Sequence, residues 1–430
     1  MYKGKSVWFT LLIGMILITV SGVFFKGTEY SRPQDGPAGS GPPSISGPPA
    51  ETRSAALHIA VAMQEAEFEA LQKKHAAYAE SRPHHTYTLE RLEPSAASME
   101  IRERTRTGDI PDIVLLPNTA IIEFAATGYL AKVKEQSPGD GDSSHVSRAV
   151  DAQVEWNGIA WGMPVDIDPY LFVYRADEGE WPEGAAYADV AEWLEARRAS
   201  HDSPAGGEWL LLRRDPMLLT ALGTQLFQLS RPADSLQEEA EAWEWKLGGG
   251  QSLPVRLTAA PYASVLSQVA DGQAMVAAAP LSALHQFDGS ASLRAAVLPQ
   301  SEDGWSGAWQ PGRSFAVSSK SEYEREAFEW VNAVNDASLQ LAIMEQGGGA
   351  PVSNSASPLY SGASPVPASV ISAALQRLEA YRSAPSFYHQ QTAVIRELEL
   401  LHDSDRPDAS SLAEAIETMQ RSFTQDERND

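Results

Sequence analysis

Two carboxylates two positions apart, Asp166 and Asp168, are the residues of this 430-residue sequence with the most evident means of doing chemistry. A glycosidase needs two carboxyls about 5–9 Å apart across its substrate. Residues i and i+2 of one strand project from a single face, too local to flank a sugar from opposite sides. As acceptors they suit another task, because one carboxylate takes several hydroxyl hydrogen bonds of the kind a polyol offers. Asp215, followed by Pro216 after the apolar run 209–212, has the pattern of a helix N-cap with proline at the first helical position. His84 and His85 are adjacent rather than a helical turn apart and follow Pro83, which fits a solvated turn better than a metal site. Asp140 and Asp142, interleaved with Gly139 and Gly141, hint at calcium, but the other ligands of an EF-hand loop are missing. No G-x-S-x-G elbow, H-E-x-x-H helix or P-loop occurs. The sequence predicts a binding protein rather than an enzyme, with no cofactor and no metal.

The composition narrows the partners. With 57 acidic and 33 Lys or Arg residues the net charge is −24, which repels phosphate backbones and argues against nucleic-acid binding. The absence of cysteine removes disulfides, thiolate nucleophiles, Cys-ligated zinc, iron–sulfur clusters and lipid attachment through a thiol. At 43% hydrophobic and 21% charged residues most of the chain has the means to fold, and its length suits two or three domains or one large two-lobed body.

The elements that must position these residues follow from patterning. Lys3 and Lys5 precede an uninterrupted apolar run over 6–25, closed by Lys26. Some 20 helical residues at about 1.5 Å each span a hydrocarbon core of about 30 Å. The run is longer than a cleaved signal peptide needs and Val20-x-Gly22 is a poor cleavage site, so residues 1–26 are expected to form an uncleaved membrane anchor with its basic end in the cytoplasm. Residues 27–55, with Pro33, Pro37, Pro42, Pro43, Pro48 and Pro49 among Gly and Ser, form a spacer. Beyond it, strands at 57–62, 87–92 and 111–117 alternate with helices at 64–81, 98–107 and 120–127, a βαβαβ order that predicts a parallel sheet covered on both faces. Sites in such sheets form at the carboxyl ends of the strands, where the loop Pro117–Asn118–Thr119 is expected to present Asn118. Asn157–Gly158 marks a tight hairpin, and Trp161 is expected to pack beside it. A helix is expected at 188–199, a strand at 314–318 and helices at 322–335 and 339–346.

Four segments in this order resemble the extracellular solute-binding proteins of ABC importers, of the maltose-binding type. Gly108-Asp109-Ile110-Pro111-Asp112-Ile113-Val114 with Gly128-Tyr129-Leu130 looks like the family's "PDIV … GxL" segment. Asn157-Gly158 through Met163-Pro164 to Tyr174 is similar to its "YNGKxYAxP … YN" segment, and Gly272-Gln273-Ala274-Met275 with Pro280 to its "GxxAM … GP". Glu326-Ala327-Phe328 through Gln346-Gly347-Gly348 to Pro351-Val352 resembles "AxxFxxxL … Q … GxxPV". The likeness runs from about Leu57 onward.

The resemblance implies an α/β, two-lobed periplasmic-binding-protein-like fold with parallel-rich sheets flanked by helices, preceded by one N-terminal membrane helix. The first lobe would comprise 56–165 and 308–350, and the second 166–307 and 351–430. Asp168 aligns with a cleft carboxylate that accepts sugar hydroxyls, with Asp166 beside it, and Asp215 with a second acidic position. Trp309 falls in a crossing segment, and Tyr388, in Ser386-Phe387-Tyr388, matches a ligand-facing aromatic segment. Asn118 would add a polar contact. The chain departs from the maltose-binding type where Leu116, Thr119 and Ala120 replace its tryptophan, aspartate and arginine, and where Leu281 follows Pro280 in place of tryptophan. The implied ligand is a carbohydrate, not fixed as a maltodextrin. The expected function is capture of a small solute on the extracytoplasmic side and delivery to ABC permease subunits. The alternative is a membrane-tethered sensor or interaction module on the same fold.

Overall fold

The computed structural model describes residues 54–133, 148–182, 208–219, 242–247, 251–298, 310–356 and 364–378, with single positions from 190 to 197 and at 222. The apolar run at 6–25, nearly all of the spacer, Asp140, Asp142, Trp309 and Tyr388 lie outside the described residues.

Strands β1 (Ala56–Ala62), β2 (Thr86–Leu92) and β3 (Ile113–Pro117) pair in parallel. Between them run α1 (Glu65–Glu80) and α2 (Ala97–Thr107). Helix α1 begins where the Glu67 carboxylate accepts the Gln64 N–H at 2.8 Å, half of a capping box. Helix α2 ends at Gly108, whose φ of 84° is the left-handed conformation that glycine adopts without penalty. Strand β3 runs directly into α3 (Asn118–Ala126), so Asn118 opens a helix rather than sitting in the expected loop. A short helix α4 (Arg148–Ala152) precedes the hairpin β4 (Glu155–Trp156) and β5 (Ile159–Ala160), which turns through positive φ at both Asn157 and Gly158. That is the type I′ geometry matching strand twist. Trp161 packs there as expected, its indole donating to Trp156 O at 3.1 Å.

The chain leaves this sheet after its next strand, returns to it, and leaves it again after its last strand. Strand β6 (Met163–Ile167) belongs to the first sheet, and three residues later β7 (Tyr170–Arg175) belongs to a second. The second sheet is completed by β8 (Glu208–Arg213), β9 (Ala242–Leu247), β10 (Gln251–Thr258), β11 (Ala274–Pro280) and β12 (Leu293–Val297), in the order β12-β7-β11-β8-β10-β9. The chain then comes back as β13 (Gly312–Val317) and β14 (Ala350–Pro351), giving β14-β6-β13-β3-β1-β2. The sheets are mixed where the first three strands predicted a parallel one. Strand β13 enters from the crossing, at the carboxyl end of β3, and so runs antiparallel to β3 and β6. Strand β7 enters the second sheet from the crossing after β6 and is antiparallel to β11, while β10 and β11 flank β8 in parallel.

The central strands β1, β3, β7 and β11 are buried on both faces, as α/β layering requires. Leu57, Ile59 and Val61 of β1 and Ile113 and Leu115 of β3 join one core with Phe315. That core is covered by α1, α7 (Glu324–Val334) and α8 (Ala337–Glu345) through Leu71, Trp330, Val331 and Ile343. The alternate residues Ala60, Val114, Leu116 and Ala316 meet Ile101, Ile121 and Phe124 of α2 and α3 on the other face. In the second sheet Leu171, Val173, Leu211 and Ala277 pack under α5 (Tyr262–Ala270), α6 (Leu281–His285) and α9 (Ala368–Gln376). Ile167, Met344, Ala350 and Val352 belong to the same cluster, so the β14–β6 edge of the first sheet contributes to the second core.

Candidate functional site

Parallel strands β1, β3 and β6 of the first sheet end on the side where β13 enters, and this end carries a buried ionic group. The Arg313 guanidinium, at the start of β13, donates to Glu67 at 2.7 and 2.9 Å, to Ala62 O at 3.2 Å and to Asp166 through Nε at 3.0 Å, with a further contact through Nη2. A bulge directs this pairing, since Arg313 stands opposite Asp166 while Ser314 stands opposite Pro164. Burial opposes the charge on Arg313, but the Asp166 and Glu67 carboxylates outweigh it and hold the guanidinium well above its usual pKa. Asp166 is thus engaged within the first sheet and has 2% of its surface exposed. Asn118 is equally committed: it donates to Gln153 Oε1 at 2.9 Å and accepts from the Ser314 hydroxyl at 2.6 Å, and is wholly buried.

Asp168 lies on the crossing between β6 and β7. Its backbone N–H donates to Pro311 O at 2.6 Å, and the next N–H along the chain, that of Tyr170 beyond Pro169, donates to Gln310 Oε1 at 2.7 Å, so the two crossings are joined side by side. Its carboxylate takes the Ser282 N–H at 2.8 Å and the Ser282 hydroxyl at 2.6 Å, both from α6. Burial pushes the Asp168 pKa up to about 6, against the Ser282 hydrogen bonds, and the Asp166 charge adds to the rise. Helix α6 and the residue after it also reach the Gly347–Gly348 turn between α8 and β14, and the Pro169 end of the crossing. His285 Nδ1 donates to Gly348 O at 2.9 Å, Gln286 Nε2 donates to Gly347 O at 3.0 Å, and Leu281 N–H donates to Pro169 O at 3.0 Å. The Gly348 carbonyl places the His285 proton on Nδ1, leaving Nε2 to accept from Ser364 Oγ at 2.7 Å, and burial lowers the His285 pKa.

The carboxyl end of β8 carries the third group. Asp215 Oδ1 accepts the Met217 N–H at 2.9 Å, the capping bond that its Asp-Pro pattern foretells. Its Oδ2 accepts the hydroxyls of Tyr262 at 2.7 Å and Tyr170 at 3.2 Å. Burial, reinforced by the charge of Asp215, raises both tyrosine pKa values well above 10, so both phenols stay protonated and donate. The Arg213 guanidinium stands 4.9 Å over the Tyr262 ring and 3.9 Å from Asp215.

Asp168 and Asp215 are therefore brought to one end of the second sheet with Tyr170, Tyr262 and Ser282, while Asp166 and Asn118 are spent inside the first. Tyr170 stands two residues from Asp168 and could have been flagged by that spacing. Ser282 and Arg313 carry no local sequence signal and Glu67 only its helix-capping spacing from Gln64, because each matters at the site through a partner more than a hundred residues away. Among the described residues no group of three or more His, Asp or Glu is placed to hold a metal, and no helix is long and apolar enough to cross a membrane.

Residues 75–369 match the model of a family described as bacterial extracellular solute-binding protein. Solved structures share the fold over most of the chain. The GacH receptor of Streptomyces glaucescens, solved unliganded and with acarbose, is 13% identical, with a TM-score of 0.62 over 87% of this chain and 99% of that one. A cyclo/maltodextrin-binding protein complexed with maltotetraose is 12% identical, with a TM-score of 0.63 over 88% and 99%. An ABC substrate-binding protein of Listeria monocytogenes in complex with cycloalternan is 12% identical, with a TM-score of 0.60 over 86% and 100%. A comparison with curated protein sequences finds no match.

Proposed function

We propose that this chain, which belongs to the bacterial extracellular solute-binding protein family, captures a carbohydrate between its two lobes and presents it to an ABC permease. The observation that carries the reading is the group at the crossing: Asp168, Asp215, Tyr170 and Tyr262 at one end of the second sheet. Carboxylate acceptors and phenolic donors in a partly dry setting are the chemistry that exchanges hydrogen bonds with sugar hydroxyls. The solved neighbours bound to acarbose, maltotetraose and cycloalternan support a sugar over other small solutes. Three crossings between two rigid sheets supply the means for closure around a guest, the hinge motion such folds permit.

In this reading the lobes are 56–165 with 308–350 and 166–307 with 351–430, residues 27–55 are a spacer, and 1–26 anchor the protein to the cell membrane with its body on the extracytoplasmic side. The protein binds and releases its solute without altering it. Trp309 and Tyr388 remain proposed ligand contacts on the strength of the family pattern alone.

The experiment is thermal melting of the full-length chain in detergent against a panel of neutral and acidic oligosaccharides, amino acids and short peptides. A ligand at 100 times its Kd should stabilise the fold by about 2.7 kcal/mol. A shift with one class of glycan supports the proposal, and a shift confined to amino acids or peptides overturns it. N-terminal sequencing of the membrane fraction tests the anchor: a start near Gly22 would contradict it.

A further inference from the structure

Arg214 is the first residue beyond β8, fixed at the strand end by its backbone N–H, which donates to Thr258 O at 2.7 Å where β10 also ends. Its side chain is partly buried, and Nε and Nη1 lie away from solvent with no hydrogen-bond partner. A guanidinium cannot shed its proton to escape such a site, so its dry N–H groups keep their full demand for an acceptor. Its sequence neighbour Asp215 does not meet that demand. Both Asp215 oxygens are taken by Met217 N–H, Tyr170 and Tyr262, with Arg213 at 3.9 Å as a second cation. The surplus is local and runs against the whole molecule, in which acids outnumber Lys and Arg by 57 to 33. Two consecutive arginines stand at the carboxyl end of one strand, and among the described residues the carboxylate paired there is Asp215, already shared. That strand lies between β10 and β11, parallel to both, and the carboxyl ends of parallel strands are where open α/β sheets receive ligands.

We propose that Arg214 is a binding residue for an oxyanion on the solute, so that the captured carbohydrate is an acidic one carrying a carboxylate or phosphate. This rests on the proposed function, since the anion is read as part of a sugar. Arg213, over the Tyr262 ring, adds charge beside the site, and the phenolic oxygens of Tyr170 and Tyr262, whose protons go to Asp215, are left to accept from hydroxyls on the neutral portion of the ring. An anionic ligand satisfies the unpartnered N–H groups with charge-assisted hydrogen bonds, while a neutral sugar leaves them with a weaker acceptor or none.

Isothermal titration of the full-length chain with matched pairs tests this: a neutral oligosaccharide and its uronate counterpart, a hexose and its phosphate ester, and inorganic phosphate alone. The expected result is at least a tenfold preference for the uronate or the phosphate ester over its neutral partner, with the arm showing the preference identifying the oxyanion. In Arg214→Gln the preference should disappear while binding of the neutral member changes less than threefold. Equal binding of neutral and acidic partners by the wild type overturns the inference and leaves the carbohydrate reading standing. If neither member of any pair binds, the carbohydrate reading itself fails. Should Arg214→Gln not fold, competition in the wild type decides: inorganic phosphate or raised salt must weaken the acidic ligand and spare the neutral one, and an equal effect on both overturns the proposal.

Discussion

Replacing Asp168 by asparagine keeps the shape of the side chain at the crossing and removes its charge. The amide oxygen still accepts the Ser282 N–H, and the amide nitrogen donates to the Ser282 hydroxyl in place of the 2.6 Å bond that the carboxylate accepts. The folded-state pKa of Asp168 is raised from 3.8 to about 6. At about 1.4 kcal/mol per pKa unit this corresponds to about 3 kcal/mol as an upper bound, because part of the residue remains in contact with water. The direction follows from proton counting. Between pH 4 and 6 the unfolded chain has released this proton while the folded one retains it, so native stability falls as pH rises and the loss is complete above pH 6. Asparagine has no proton to lose. The variant should match the wild type near pH 4 and exceed it by up to about 3 kcal/mol at pH 7.5. Urea denaturation at half-unit intervals from pH 4 to 8, with unchanged m-values, measures the difference. His285 titrates with the opposite slope, since its lowered pKa makes acid destabilising, but it is present in both proteins and cancels. A variant less stable than wild type at pH 7.5, or a difference that does not change with pH, would refute the reasoning. The same variant should bind solute more weakly if the cost of the buried charge is retained for function.

Arg313→Met should destabilise the chain by about 3–5 kcal/mol by leaving Asp166 and Glu67 buried without their cation. Adding Glu67→Gln and Asp166→Asn should recover most of that loss in the same urea titration. Gly348→Ala should cost about 1–3 kcal/mol, because a Cβ there would lie 2.5 Å from Ile343 Cγ2 and 2.9 Å from Ile343 O, read as a lower melting temperature. Tyr262→Phe removes the 2.7 Å bond to Asp215 and should cost about 1.5–3 kcal/mol in stability, with solute affinity falling as well in calorimetry. An unchanged affinity would place Asp215 outside the binding surface.

Much of the first lobe was legible because its signals are local. The apolar run Ile113–Pro117, the glycine ending α2 and the Asn157–Gly158 turn each declare themselves within a few residues. Asn118 was misplaced because Pro117 reads as the end of a strand, and a helix starting on the very next residue leaves no loop to recognise. The directions of β7 and β13 depend on which lobe the chain arrives from, and no short stretch records that. The site shows the same division. Asp215 was visible through its Asp-Pro cap, and the structure shows one oxygen making that cap and the other receiving two tyrosines. Arg313 was missed because its partners Glu67 and Asp166 are 246 and 147 residues distant. Charge pairing at that range leaves no periodicity behind.

The central claim is that two lobes close on a solute, and the cysteine-free sequence makes it directly measurable. Glu69→Cys, on the exposed side of α1, and Ala263→Cys, exposed on α5, would be the only thiols in the full-length chain and would take one spin label each. With a glycan identified from the melting panel, pulsed dipolar spectroscopy should show the inter-label distance distribution narrow and shift by several ångströms at saturation, and revert on dialysis. A distribution that stays the same while calorimetry reports stoichiometric binding would contradict capture by closure of the lobes.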